Sequence, residues 1–116
     1  KDWDEAFPII MHYYNNSNNP RIRGAVVGDI LERNSVDDLH RLSYLLTSED
    51  PADGFARQNL INKFGQIGTK ECLSILRQAA DFWREQDRLG WVRTIEDSIK
   101  SIEQRFGIGS AEDKDS

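Results

Sequence analysis

The chain reads as an all-α protein, about six antiparallel helices stacked as a solenoid, on three observations. Apolar residues recur at i, i+3, i+4 and i+7 along most of its length, and no segment alternates like a strand. Short runs rich in Asn, Ser, Gly and Pro interrupt that periodicity. Finally, a helix, a tight turn and a second helix recur in register after 34 residues (57 − 23). That shift places Arg23 on Arg57, Val26 on Leu60, Val27 on Ile61 and Ile30 on Phe64. It also places Ser35 on Thr69, Asp37 on Glu71, Leu39 on Leu73 and Leu42 on Leu76. A few apolar matches arise by chance, but an arginine, a hydroxyl cap and an acidic residue are harder to match together.

The first helix is predicted from about Trp3 to Tyr14, with Trp3, Phe7, Ile10, Met11 and Tyr14 on one face. Pro8 falls early enough in it to set a mild kink instead of a break. Asn15 to Asn19 end it, and Pro20 suits the start of the next. The second helix runs from about Arg21 to Arg33, with Ile22, Val26, Val27, Ile30 and Leu31 facing inward. Asn34-Ser35 turns the chain, with Ser35 as N-cap and Asp38 completing a weak capping box. The third helix, near Val36 to Thr47, carries Leu39, Leu42, Leu45 and Leu46, and stops at Ser48-Glu49-Asp50-Pro51. The fourth, near Asp53 to Gln66, carries Phe55, Ala56, Leu60, Ile61 and Phe64. Thr69 is the expected N-cap of a fifth helix reaching about Arg88, whose apolar side is broad: Leu73, Ile75, Leu76, Ala79, Phe82 and Trp83. A sixth runs from Trp91 to Phe106. Residues 1–106 therefore form the helical segment, and 107–116 an acidic, flexible tail.

Composition sets the outer bounds. The 116 residues are 38% hydrophobic and 30% charged, enough for one domain with its own core. No apolar run approaches the ~20 residues that span a bilayer, so no membrane insertion is expected. Fifteen basic against twenty acidic residues give a net charge of −5, which disfavours a nucleic-acid partner. Cys72 is the sole cysteine, which removes a disulfide framework and fits a cytoplasmic location. The chain opens on Lys1 without an initiator Met, so a fragment of a longer array is an open expectation.

Glu5-Ala6-Phe7-Pro8-Ile9-Ile10, Asn19-Pro20-Arg21-Ile22-Arg23-Gly24-Ala25 and Phe64-Gly65-Gln66-Ile67-Gly68 together resemble HEAT-like repeats of the short, phycobilisome-lyase type. The first run resembles the start of that family's second helix, and the second its Asp-Pro-x-Val-Arg opening. The third is similar to its Leu-Gly-x-Ile-Gly ending. The likeness covers roughly residues 4 to 106: an orphan second helix, two repeats and a final first helix. It departs from the pattern at Asn34, where a Gly68-type ending is expected, and at Val92, where arginine is expected. The resemblance implies a right-handed α-solenoid and is nearly silent on function, since such folds serve many partners.

The same resemblance implies that helices one, three and five line a concave face. Pro8, His40 and Ser74 would form one row there, and His12, Tyr44 and Gln78 a second, with Arg41, Arg77 and Asp81 nearby. Those residue types combine contact area with hydrogen bonding, so the expected function is a protein-interaction or scaffold module with a protein partner. On a helical wheel the sixth helix has an apolar arc of about 100°, as suits a terminal cap. Ala6, Ile9 and Tyr13 widen the first helix's arc to roughly 200°, so an upstream repeat, a second copy or a partner is expected to cover that edge. The alternatives left open are a HEAT-like enzyme handling a chromophore or nucleic acid, and a self-assembling structural segment.

Catalytic and cofactor motifs are otherwise weak, and no catalytic residue, metal site or cofactor is expected. His12 and His40 lack ligand spacing. Asp37-Asp38 and Glu96-Asp97 are adjacent on helices, so each pair diverges by ~100°. Cys72 falls among apolar neighbours as a buried thiol. Gly65-x-x-Gly68 lacks the lysine of a phosphate loop, and Trp3, Trp83 and Trp91 sit at core spacing.

Overall fold

The computed structural model describes residues 2–108, and every regular element among them is helical. Helix α1 spans Asp2–Asn16, α2 Pro20–Leu31, α3 Val36–Leu42, α4 Gly54–Ile67, α5 Cys72–Glu85 and α6 Leu89–Phe106. Two 3₁₀ stretches, Ser43–Thr47 and Pro51–Asp53, connect α3 to α4. Of the expected acidic tail, residues 109–116 lie outside the described part. Gly107 and Ile108 instead close α6: Gly107 takes a left-handed φ of 66°, and the Ile108 amide donates to the Glu103 carbonyl at 2.9 Å.

Helices α2, α4 and α6 pack side by side, α5 packs along α6, and the Ser43–Thr47 stretch lies between α4 and α5. The principal extents are 49 × 35 × 17 Å. The radius of gyration, 14.8 Å, lies slightly above the ~13 Å typical of this length. The shared core runs through Val27, Ile30, Leu39, Leu42, Leu60, Ile61, Phe64, Leu76, Trp83, Ile95 and Ile102, all essentially without solvent contact. Each such aliphatic or Phe side chain contributes roughly 1.5–3 kcal/mol by leaving water. Pairs related by the 34-residue shift match in burial at Arg23 and Arg57, Val27 and Ile61, Ile30 and Phe64, Leu39 and Leu73, and Leu42 and Leu76.

Local chemistry explains most boundaries. Asn19 caps α2, its Oδ1 accepting from the Arg21 amide at 2.9 Å, and Pro20 follows where no amide is needed. Helix α1 continues through Pro8. Asn34 turns the chain in the left-handed region (φ 55°), which asparagine tolerates, and Lys63 donates to its side chain at 2.8 Å. Gly68 ends α4 for a different reason. Its φ is ordinary, but a Cβ there would lie 2.9 Å from Ile102 Cδ1. Arg105 of α6 donates to the Gly65 and Gly68 carbonyls, stapling the end of α4 to α6.

Several expectations need correction. The third helix stops at Leu42 and tightens into 3₁₀ winding over Ser43–Thr47, whose free carbonyls are filled by side chains: Leu45 by Arg57 Nε at 3.2 Å and Leu46 by Trp83 Nε1 at 2.7 Å. Ser35 precedes α3 in an extended conformation but its hydroxyl caps nothing, and Asp38 is no capping-box partner. Asp38 is instead a buried acceptor for Trp3 Nε1 (2.9 Å) and Arg33 Nε (3.1 Å). Thr69 does not cap α5, which starts three residues later at Cys72. Helix α5 ends at Glu85, where Asp87 turns with φ 59° and the Arg88 amide bonds the Trp83 carbonyl. Helix α6 starts earlier than expected, at Leu89. Ile22 and Phe55, expected inside, are 51% and 53% exposed.

Asp53 holds the centre. Tyr14 donates to its Oδ1 at 2.5 Å, Arg23 Nη1 to the same atom at 2.7 Å, and Ser48 Oγ to its Oδ2. Arg23 also donates to the Ser17 carbonyl at 2.7 Å and lies 4.7 Å over the Tyr14 ring. Burial pushes the Asp53 carboxyl up, but the bonds from Ser48, Tyr14 and Arg23 outweigh it and hold it below the usual carboxylate range. For Tyr14, burial and its bond into Asp53 push the phenol far above its ordinary value. Arg57 repeats the role of Arg23: it reaches back to the Leu45 and Ser48 carbonyls and lies over the rings of Trp91 and Trp83, at 4.6 and 5.0 Å. Among the described residues, no buried side-chain nitrogen or oxygen lacks a partner.

Two predictions follow from this packing. Asp53→Asn leaves Arg23 buried beside a neutral amide and costs about 3 kcal/mol at pH 7. Since the folded-state pKa is depressed, that stabilisation is complete above the unfolded value of about 3.9 and is lost as pH falls through the folded value. Urea denaturation from pH 7 downward should show the gap between wild type and variant closing below about pH 4. Gly24→Ala should cost about 1–3 kcal/mol, because its new Cβ meets Phe55 Cβ at 2.8 Å and forces α2 from α4. Gly90→Ala, with nothing within 4 Å, is the matched control and should not destabilise.

Candidate functional site

A groove of about 460 Å³ separates the Ser43–Thr47 stretch from α5, lined by Ser43, Tyr44, Leu46, Thr47, Ile75, Gln78, Ala79 and Phe82. Three residues per 3₁₀ turn place Tyr44 and Thr47 on one edge, while Leu45 and Leu46 are buried beneath. The opposite wall is the broad apolar side of α5: Ala79 is buried, whereas Ile75 and Phe82 are only half-buried and face the opening. The bond from Trp83 Nε1 to the Leu46 carbonyl, with Phe82 edge-on to Trp83 at 5.0 Å, fixes the spacing of the two walls.

Tyr44 is 55% exposed. Burial of the rest of the ring, with the Asp53 charge adding to it, pushes its phenol above the ordinary value, so it is a neutral hydroxyl at physiological pH. The rim thus offers the Tyr44, Ser43 and Thr47 hydroxyls and the Gln78 amide around an apolar floor. Such a surface takes an uncharged segment with backbone polar groups and an apolar anchor.

Of the residues singled out from the sequence, the structure brings Tyr44 and Gln78 together in this groove. His12 and His40 are exposed but do not line it. His12 Nε2 pairs with Asn16 Nδ2 at 3.0 Å, and its ring lies 6.0 Å from that of Tyr13. The His40 carbonyl accepts from Ser43 Oγ at 2.8 Å. Arg41 is tied back to Asp4 at 2.5 Å and lies 5.2 Å over Phe7; Arg77 is tied to Glu103 at 2.8 Å. Arg84, one turn beyond Asp81, pairs with Asp81 and with Glu96. Ile9 and Tyr13 on α1 are 60% and 69% exposed, the most open large apolar side chains described. Among the described residues, no His, Cys, Asp and Glu side chains group so as to hold a metal ion, and no helix is long and apolar enough to cross a membrane.

Ser43, Thr47, Ile75 and Phe82 were missed as site residues. The signal existed for the last two, because an apolar arc wider than one-sided burial needs has to face something. For Ser43 and Thr47 it did not, since apolar periodicity does not show that the helix tightens into 3₁₀ winding after Leu42.

These features define an all-helical protein with a neutral, aromatic-rimmed surface groove. No protein family, curated protein or solved structure matches the chain.

Arg41 and Asp4 make a largely exposed pair, which contributes little to stability, whereas Arg77 pairs with Glu103, whose side chain is only 15% exposed. Arg41→Ala should therefore leave the urea midpoint nearly unchanged, and Arg77→Ala should lower it more. A larger drop for Arg41→Ala than for Arg77→Ala would contradict this ranking.

Proposed function

We propose that the chain is a protein-interaction module of HEAT-like type, a right-handed stack of helix pairs. Its groove between the Ser43–Thr47 stretch and α5 receives an uncharged segment of another protein, and the Ile9–Tyr13 edge of α1 is a second contact. The matched burial of residues 34 apart, and the way Arg23 and Arg57 both bond carbonyls at the end of the preceding helix, support the repeat reading. The observation that carries the function is the groove itself: a half-exposed Tyr44 and an exposed Gln78 over an apolar floor. Aromatic anchors of this kind dominate interface energetics.

Local charge favours a protein over a nucleic acid. Arg41, Arg77 and Arg84 each pair with a carboxylate at 2.5–2.8 Å, so phosphates would compete with existing ion pairs on a chain of net charge −5.

Affinity capture with mass spectrometry should yield a defined partner whose binding falls at least about tenfold with Tyr44→Ala. Lys100→Ala, on the exposed side of α6, should leave it unchanged. A partner held equally well by the Tyr44→Ala/Gln78→Ala double variant contradicts this surface.

A further inference from the structure

A larger groove, about 700 Å³, lies on a different part of the molecule, between α2 and α4. Gly24, Ala25 and Gly28 form its floor and Phe55, 53% exposed, its wall. Along α2 the open stripe reads Arg21, Ala25, Asp29, at i, i+4 and i+8, with Glu32 one turn further and Ile22, 51% exposed, beside it. Positive charge sits at one end of this stripe and negative charge at the other, about 12 Å apart at 1.5 Å per residue. No ion pair among the described residues involves Arg21, Asp29 or Glu32.

This arrangement is complementary to itself when reversed. From it we infer that a second copy of the chain docks here, with α2 antiparallel to its counterpart about a two-fold axis at Ala25. In that pairing Arg21 of each copy meets Asp29 and Glu32 of the other, so both charges are matched twice. The small residues at the centre let the helix axes approach to about 8 Å, the close end of normal helix packing. The antiparallel sense also sets opposite ends of the two helix dipoles together. Ile22 and Phe55, which the single chain leaves in water, gain cover from the second copy. A parallel neighbour would set Arg21 against Arg21 and Asp29 against Asp29, so the charge order selects the antiparallel two-fold.

Sedimentation equilibrium over a wide concentration range tests this in low and high salt. The expected result is a monomer–dimer equilibrium that weakens as salt rises. Arg21→Glu should raise the dissociation constant about tenfold or more, because the axis counts each lost pair twice. Adding Asp29→Arg should recover part of the association, since positions 21 and 29 are again complementary although Glu32 then opposes the acid introduced at position 21. A chain monomeric at every concentration, or a double variant as weak as Arg21→Glu alone, overturns the inference. Both positions are exposed, so neither change threatens the fold. Tyr44→Ala should leave the dimer intact and Arg21→Glu should leave capture through the Tyr44 groove intact, which separates failure here from failure of the proposed function.

Discussion

Two buried carboxylates hold the first helix to the rest of the molecule, and the exposed surfaces depend on that attachment. Helix α1, fifteen residues long, buries Met11 and Tyr14 and packs Trp3, Phe7 and Ile10 partly against the core. It is also fastened at both ends by polar bonds. Near its start Trp3 donates to Asp38, whose other oxygen takes Arg33, and the Arg33 guanidinium lies 3.9 Å over the Trp3 ring. Near its end Tyr14 donates to Asp53, which also takes Arg23 and Ser48. A carboxylate removed from water is costly unless its lone pairs are filled. Each of these two is fully bonded only when α1 is in place, so polar demand adds to apolar contact in positioning the helix.

The same logic shapes the groove. Arg57 and Trp83 take the Leu45 and Leu46 carbonyls and so hold the 3₁₀ stretch whose Tyr44 and Thr47 face outward. An α-helix running on to Thr47 would have left those carbonyls among its last four, with no amide of its own to fill them. Stability and surface are therefore coupled at one place: the arginine that fills the centre beneath Trp83 and Trp91 also fixes the wall that carries Tyr44. The α2 surface has a different origin. Gly24 is glycine because Phe55 Cβ lies against it, and the close approach of α4 leaves the remaining face of α2 open.

Much of this was legible residue by residue. Asn19-Pro20 announced the start of α2 with its cap chemistry and Gly68 the end of α4, and the HEAT-like resemblance set Tyr44 and Gln78 in one row. What was not legible depended on partners distant along the chain. Asp38 reads locally as a capping-box acid, and only Trp3, 35 residues earlier, makes it a core acceptor. Asp53 reads as the beginning of a helix, although three donors from separate segments converge on it. Ile22 and Phe55 fit the inward face by periodicity, yet periodicity says only that a face is apolar, not whether a neighbouring helix covers it. His12 and His40 were expected on the concave face, in separate rows, but neither lines the groove.

The central claim, that Asp53 fastens α1 through Tyr14, is tested most directly by a double-mutant cycle between the two residues, read by urea denaturation at pH 7 with Tyr14→Phe, Asp53→Asn and the pair. A charge-assisted bond between buried partners predicts a coupling of about 1.5–3 kcal/mol. Additive losses, with coupling near zero, would mean that the Tyr14–Asp53 bond does not position α1.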